Sequence, residues 1–344
     1  MKYFDKILLS LVIILISATS AFAEVRLASW NVKRMNSENK NLEAMVQIAS
    51  YFDLIALQEV MEEESVYNLV KEIQKSTDSE WGMMVSHPIG RGTYKEMYAF
   101  IWRKSHIQYL DSAVVYLDDR DVFAREPLSA RFETKDKSTF IVSNVHILYG
   151  ESKKDREPEI IALRRYWDWL AETFPNEQYF LMGDFNMNPD EDSFLPLYEV
   201  ASPVILDGAT TLSNTDGKYA NLYDNIWIPN NIDGNFKAGI LDFPQILKWT
   251  HSYARDVLSD HAPVYLTVYS YKEETGLYNS NPYEFTEVPN ETLFVRANKN
   301  SLIFHLPDCP NYDDMATSAN LIEFDTKEQA ETAGYRMAKN CSLN

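Results

Sequence analysis

The chain has 344 residues, 45% of them hydrophobic, with seven Trp and 21 Tyr, a globular composition with enough apolar bulk for a sizeable core. That length holds one layered domain of about 250 residues and something smaller. With 51 acidic residues against 32 basic ones, the net charge is −19. No global field draws such a chain to nucleic acid, so a high-affinity DNA binder is disfavoured, whereas an enzyme that meets a few phosphates locally is not.

Residues 1–23 read as a secretory signal peptide, with Lys2 and Lys6 ahead of an apolar run from Ile7 to Ile16 that only Ser10 interrupts, and Ala21-Phe22-Ala23 as the cleavage site. The run is short for a membrane span, which needs about 20 apolar residues. No Cys follows the cleavage site, which argues against a lipid-anchored precursor; a retained signal anchor is the alternative. Cleavage removes two Lys and one Asp, taking the charge from −19 to −20. The expected location is therefore secreted or periplasmic.

From residue 24 to 271 strand-like and helix-like segments alternate. Val25–Val32, Leu54–Leu57, Tyr98–Trp102, Thr139–Ile147, Tyr179–Met182, Ile226–Ile228 and Pro263–Tyr269 are rich in β-branched and aromatic residues and predict strands. Leu42, Met45, Val46, Ala49 and Phe52 recur at helical spacing, as do Val66, Leu69, Val70 and Ile73, and then Ile160, Leu163, Trp167 and Leu170. Helices interleaved with many strands predict sheets covered by helices, a layered α/β or α+β domain. Residues 272–290 are polar with two Pro and read as a linker, and a compact segment, 291–344, follows. Both cysteines, Cys309 and Cys341, lie in that segment, and in an exported protein they most simply pair with each other.

The chemistry is concentrated in GDFNMNP (183–189) and SDHAPV (259–264). Each follows an apolar, strand-like run, QYFLM in the first case and YARDVL in the second, so carboxylate, carboxamide and imidazole groups emerge at strand tips. Hard-cation ligands, a phosphate-binding amide and a proton-transfer group are what metal-assisted phosphodiester cleavage needs. Five weaker motifs sit at other strand ends: Asn31 in SWNVKR, Glu59 in LIALQEV, Tyr94 and Glu96 in RGTYKEMYAF, His146 in SNVHIL and Asp224 in YDNIWI. Taken singly, a Glu after an apolar strand is commonly a surface residue and a lone His commonly structural. Gly-Asp closing a buried run is harder to explain that way, because a buried carboxylate costs free energy unless it is used.

This ordered series resembles the endonuclease/exonuclease/phosphatase superfamily, and within it deoxyribonuclease I, over residues 25 to 270. GDFN, SDH, the strand-borne WN and the QE dipeptide are superfamily features; YKEMYAF (94–100) and FAREP (123–127) resemble deoxyribonuclease segments. The resemblance implies a four-layer αββα sandwich of two mixed β-sheets flanked by helices, with the site at one edge. It makes Glu59 the main ligand of Mg²⁺ or Mn²⁺, helped by Asn31 and Asp260, and leaves a Ca²⁺ requirement open. Asp184 and Asn186 would orient water and hold the scissile phosphate. Asp224 would hydrogen-bond His261, and Glu96 would hydrogen-bond His146, the two imidazoles serving as proton acceptor and leaving-group stabiliser. Tyr94 and Arg125 look like substrate-binding groups on the DNA backbone and minor groove, although a Tyr beside a strand is commonly core and an Arg before Glu-Pro commonly a surface ion pair.

The chain departs from the family in three places. After the QE dipeptide stand Met61 and then Glu62, Glu63 and Glu64 instead of an Arg that would enter the minor groove. These acids would repel phosphates if they faced the substrate. The disulfide that flanks the site in secreted mammalian members has no counterpart, since Asn188 and the residues before Tyr223 are not Cys. Arg91, Lys95, Arg103, Arg125, Lys153, Lys154 and Arg156 are the available counter-charge. In the C-terminal segment, FHLPDCP and GYRMAKNC resemble a small module similar to the Ada-type metal-binding domain, whose zinc form has two Cys where this chain has Ala338 and Cys341. With only Cys309, Cys341 and His305 as ligands, a structural zinc is one short of four. A Cys309–Cys341 disulfide, worth about 3 kcal/mol in the chain-entropy picture, is the better reading.

The function expected from all this is a secreted, divalent-metal-dependent, nonspecific endonuclease that hydrolyses DNA to 5′-phosphate products, working as a monomer with no stable protein partner. A sphingomyelinase-like or toxin-type phosphodiesterase or phosphatase of the same superfamily is the alternative enzyme, and an inactive binding protein the alternative outside enzymes. A lipid enzyme would present an exposed apolar hairpin, and no such run stands between the motifs.

Overall fold

The computed structural model describes residues 24–232, 236–269, 295–306, 309, 312, 320–324, 327–338 and 341. The expected signal segment and linker lie outside these. The chain divides into two compact units, Met1–Glu273 and Glu274–Asn344. Among the described residues no helix is long and apolar enough to cross a membrane.

In the first unit, one sheet contains β1 (Glu24–Met35), β2 (Leu54–Val60), β3 (Trp81–Val85), β4 (Met97–Arg103), β11 (Phe236–Ile240) and β12 (Val264–Tyr269), in the order β11-β12-β1-β2-β4-β3. The other contains β5 (Ile107–Val115), β6 (Leu128–Thr134), β7 (Thr139–His146), β8 (Gln178–Asp184), β9 (Ala201–Pro203) and β10 (Asp224–Pro229), in the order β5-β6-β7-β8-β10-β9. Both are mixed, with β1 parallel to β2 and β7 parallel to β8 among antiparallel neighbours. Strand periodicity of two sorts the side chains into layers. Phe140, Val142, Phe180, Met182, Ile226 and Ile228 meet Leu27, Leu54, Ala56 and Phe100 between the sheets, while the alternate residues Ile141, Tyr179, Leu181 and Trp227 pack under a helix.

That helix is α3 (Lys153–Thr173), begun by a reciprocal Ser152/Asp155 capping box and applied through Ile160, Leu163, Tyr166, Trp167 and Leu170. Beside the first sheet lie α1 (Leu42–Ala49), whose Asn41 cap accepts from Ala44 N, and α2 (Glu63–Thr77). The short α4 (Leu195–Tyr198), α5 (Phe243–Leu247) and α6 (His251–Val257) complete the unit. The result is the four-layer sandwich of two mixed sheets flanked by helices.

One local expectation is corrected. YARDVL is not a strand but most of α6, capped by Thr250 Oγ1 on Tyr253 N; six residues with apolar groups at both spacings do not separate the two periods, and the cap decides. The acids Glu62–Glu64 open α2, where negative charge complements the helix N-terminus, and Glu62 accepts Ser37 N at 3.1 Å and Ser37 Oγ at 2.7 Å. Their primary structural work is to start a helix.

Gly183 is dictated by β7. A Cβ there would stand 1.9 Å from Val145 O, a backbone atom that cannot move without breaking the β7–β8 ladder. Gly183→Ala is therefore expected to cost more than about 3 kcal/mol, at the severe end of single substitutions, read as a fall in thermal midpoint or as insoluble expression. A variant of native midpoint would contradict the packing described.

The second unit holds a sheet ordered β15 (Leu321–Phe324), β13 (Val295–Asn298), β14 (Ile303–His305), β16 (Arg336–Met337), with α7 (Lys327–Thr332) and a small core of Val295, Ala297, Phe304 and Ala330. Cys309 and Cys341 are joined by a disulfide, and His305 Nδ1 lies 4.0 Å from Cys341 Sγ. The Ada-type resemblance of this unit rests on its sequence alone.

Candidate active site

Topology collects the site on one edge. Parallel strands β1, β2, β7 and β8 end there, and β4, β10 and β12 begin there. Asn31 and Glu59 are therefore neighbours of His146 and Asp184, with Glu96, Asp224 and His261 entering from the strand starts. Register does part of the work: His146 pairs with Asp184 across β7–β8, and Asp184 pairs with Asp224 across β8–β10. β1 and β2 are both irregular here, with register shifts between Asn31 and Met35 and between Leu57 and Val60, and with positive φ at Lys33 (46°), Arg34 (52°) and Glu59 (59°). Such bulges re-aim side chains at a strand end, and clustered left-handed residues are tolerated only where surrounding bonds over-determine them.

Those bonds are present. Asn31 Nδ2 donates to Glu59 Oε1 at 3.0 Å and to Asp184 Oδ2 at 2.9 Å, while Asn31 Oδ1 accepts Lys33 N at 2.9 Å. Glu59 Oε2 accepts Arg34 N at 3.0 Å. The SDH loop is tied to the same strand: Ser259 Oγ donates to Asn31 O at 2.6 Å, and Trp30 Nε1 to His261 O at 2.8 Å. One position earlier, Gln58 and Asn144 bridge the two sheets, Gln58 Nε2 donating to Asn144 Oδ1 at 2.7 Å and Asn144 Nδ2 to Leu57 O at 2.9 Å. This buried polar link, adjacent to Glu59 and two residues from His146, holds the halves of the site in register.

Two carboxylate–imidazole pairs face one carboxylate. His261 Nδ1 lies 2.8 Å from Asp224 Oδ2, and His146 Nδ1 lies 2.5 Å from Glu96 Oε1. Their Nε2 atoms stand 3.7 and 3.6 Å from the same oxygen, Asp184 Oδ2. Burial by itself disfavours the His261 imidazolium, but Asp224 and Asp184 outweigh it and push the pKa up to about 10. His146 is likewise raised: burial and Arg125 pull down, and Glu96 and Asp184 prevail. Asp184 moves the other way, for although burial favours its neutral form the two imidazoles hold it ionised. Asn186, at φ 51°, donates its backbone N–H to Asp184 Oδ1 at 2.8 Å and its Nδ2 to Ile147 O at 2.8 Å.

Arg125 lies against the Glu96–His146 pair. It is 8% exposed, donating from Nε to His146 O at 3.0 Å and from Nη2 to Ile147 O at 3.1 Å, with Nε 3.5 Å from Glu96 Oε1. It is no surface ion pair: it backs the Glu96–His146 pair. Tyr94 stays at the rim, 39% exposed, with its hydroxyl 3.2 Å from Glu96 Oε2 and the Arg34 guanidinium 5.4 Å from its ring centre. Burial and the carboxylates Glu96 and Glu59 push its phenol up to about 12. Asp260 lies 3.7 Å from Lys33 Nζ and 3.6 Å from Arg255 Nη2.

A deoxyribonuclease of Thioalkalivibrio sp. (strain K90mix) is 43% identical over 268 residues, 75% of this chain and 74% of that protein. Deoxyribonuclease-1 of Gallus gallus is 25% identical over 268 residues, 72% of this chain and 93% of that one. This chain is a deoxyribonuclease I-like member of the endonuclease/exonuclease/phosphatase superfamily. A solved family member from Bacteroides thetaiotaomicron has the same fold, with a TM-score of 0.52 at 14% identity over 73% of this chain and 100% of that one. No family model matches the chain.

Relative to the deoxyribonuclease pattern, the structure shows what stands in for the missing parts. Where a flanking disulfide would tie the GDFN loop to β10, Leu222 N donates to Asn188 Oδ1 at 3.3 Å. Most of the counter-charge expected from sequence is spent internally: Arg91 on Asp121, Arg103 on Asp53, Lys153 on Glu191, and Arg125 and Arg156 in buried support. The cations beside the site are instead Lys33, Arg34, Lys40 and Arg255, which the sequence reading passed over. The run VKRMNSENK directly after the WN motif was the available signal for three of them.

Proposed function

We propose that the protein is an exported, divalent-metal-dependent endonuclease that hydrolyses DNA and leaves 5′-phosphate ends. The observation that carries this is the pair of buried carboxylate–imidazole dyads aimed at one ionised carboxylate, in a member of a deoxyribonuclease family. The donors available for a cation, the carboxylates of Glu59 and Asp260 and the carboxamide oxygen of Asn31, are all hard oxygens, which fit Mg²⁺ or Mn²⁺. The space between them already collects positive charge. Lys33 and Arg255 stand 3.7 and 3.6 Å from Asp260, and burial and Lys33 pull the Lys40 amine down to about 8 against the opposing pull of Asp260 and Glu59. A second donor group, Asp184, Asp224 and His261, has its ligand atoms within 4.8 Å of one another, but His261 Nδ1 is committed to Asp224. A bound cation would supply neutralisation of charge on the phosphate oxygens and at the leaving oxygen.

The chain's own residues do the rest. Asp184, ionised, orients the attacking water. The Asn186 amide holds a non-bridging phosphate oxygen. One imidazole, in its neutral form, receives the water's proton; the other, as imidazolium, donates to the departing 3′-oxygen. Glu96 and Asp224 fix the Nδ1 side of each ring, so that Nε2 is the atom presented. Because both imidazoles are held towards the protonated form, the base appears only as pH rises, and kcat/KM is expected to climb on the alkaline side of neutrality.

Among the described residues the exposed large apolar side chains, such as Tyr67, Leu117, Leu195 and Leu206, come singly from different elements, unlike the apolar hairpin a lipid enzyme would present. The product ends test the proposal. Nicked plasmid made with Mg²⁺ should be resealed by DNA ligase directly, as 5′-phosphate and 3′-hydroxyl ends allow. Ends that need kinase treatment first, or turnover of sphingomyelin or a phosphoinositide with DNA left intact, would overturn it.

A further inference from the structure

Three residues beyond His146, Tyr149 is 58% exposed, an unusual setting for an aromatic side chain beside a catalytic strand end. Its ring is not idle. The guanidinium of Arg156 stands 4.2 Å from the Tyr149 ring centre and 5.7 Å from that of Tyr223. Arg156 itself is 5% exposed. Its Nε donates to Tyr149 O at 2.6 Å, and its Nη1 donates to Asn186 O at 2.5 Å and to the Tyr223 hydroxyl at 3.4 Å. One buried cation thus fixes the backbone of the proposed phosphate-holding residue and the ring of an exposed tyrosine. With Arg156 against one face, the solvent-facing part of the Tyr149 ring is pre-set at little further entropic loss.

We propose that Tyr149, backed by Arg156, is a substrate-contact residue that takes the sugar or base of a nucleotide flanking the scissile phosphate against its open ring face. This rests on the deoxyribonuclease reading above. Three residues of chain span at most about 11 Å between Cα atoms, and the two side chains reach several Å further, so the ring is within a few nucleotides of chemistry centred on His146. The need for such a contact follows from charge. At −19 the protein cannot draw its affinity from a broad basic surface, and stacking on an aromatic ring is insensitive to sequence and less dependent on salt than phosphate pairing. The alternative role, a lid that merely shields the Arg156–Asn186 bond, would act on every substrate alike.

The test compares Tyr149→Ala and Tyr149→Trp with the unaltered protein in two assays. The first is kcat/KM on plasmid DNA and on bis(p-nitrophenyl) phosphate, a diester with no flanking nucleotide. The second is anisotropy of a fluorescein-labelled duplex with chelator present, so that binding is read without cutting. Tyr149→Ala should weaken duplex binding about tenfold and lower kcat/KM on DNA, through KM, by about tenfold more than on the small diester. Tyr149→Trp should stay near the parent. Parallel losses on both substrates with unchanged duplex affinity would assign Tyr149 the shielding role and overturn the proposal, as would a Tyr149→Ala protein that binds and cuts DNA like the parent. If the unaltered protein neither binds nor cuts DNA, the deoxyribonuclease reading fails first and takes this inference with it.

Discussion

His261→Ala lowers kcat on DNA by roughly 10²- to 10⁴-fold, His146→Ala does the same, and the double variant loses little more than either single one. The expectation follows from the shared target: both Nε2 atoms address Asp184 Oδ2, at 3.7 and 3.6 Å, so removing one imidazole disables the proton traffic that the other completes. Fully multiplicative losses would show two independent sites of action and contradict this account. The same ion pairs predict a pH dependence of stability. The His261 pKa is raised, from an ordinary value near 6.5 to about 10, so the stabilisation it provides is complete below about 6.5 and is lost as pH rises through 10. In chelator, the thermal midpoint of the parent should therefore fall over that range, and the midpoint of His261→Ala should fall less.

Glu59→Gln is the second large effect. The substitution keeps the size of the side chain and the acceptor oxygen that Asn31 uses, but removes the charge that the half-buried carboxylate brings to the cluster of Asn31, Asp260, Lys33 and Lys40. The Mg²⁺ concentration for half-maximal activity should rise by at least about tenfold, as loss of even an outer-shell partner does. Metal-free stability should fall modestly, because glutamine offers one acceptor oxygen where Glu59 uses two, for Asn31 Nδ2 and Arg34 N. An unchanged Mg²⁺ requirement would move the ion away from Glu59, to the Asp184, Asp224 and His261 donors.

The amino-acid sequence showed the strand tips well and their surroundings poorly, for physical reasons. Asn31, Glu59, Glu96, His146, Asp184, Asp224 and His261 were legible because each follows or precedes an apolar run whose period of two is local. Their convergence is a consequence of sheet topology, supplied by resemblance and not by periodicity. The setting of Arg125 was not legible because an Arg before Glu-Pro has the same local pattern whether it faces solvent or lies 8% exposed behind Glu96; only the tertiary partner distinguishes them. Lys33 and Arg34 were overlooked because their importance comes from a bulge, and a left-handed backbone at a non-glycine residue leaves no mark in sequence. The irregular β5, with shifts at Asp111, and the three-residue β9 lacked a clean alternation to find. The YARDVL helix was decided by Thr250, three residues ahead of that window.

The central claim, that these dyads perform metal-assisted hydrolysis of DNA, is tested most directly by relaxation of supercoiled plasmid. Purified protein should nick the plasmid in Mg²⁺, stop when chelator is added, and be silent in Mg²⁺ as His261→Ala. Nicking that persists in chelator, or in the His261→Ala protein at the parent's rate, would contradict it.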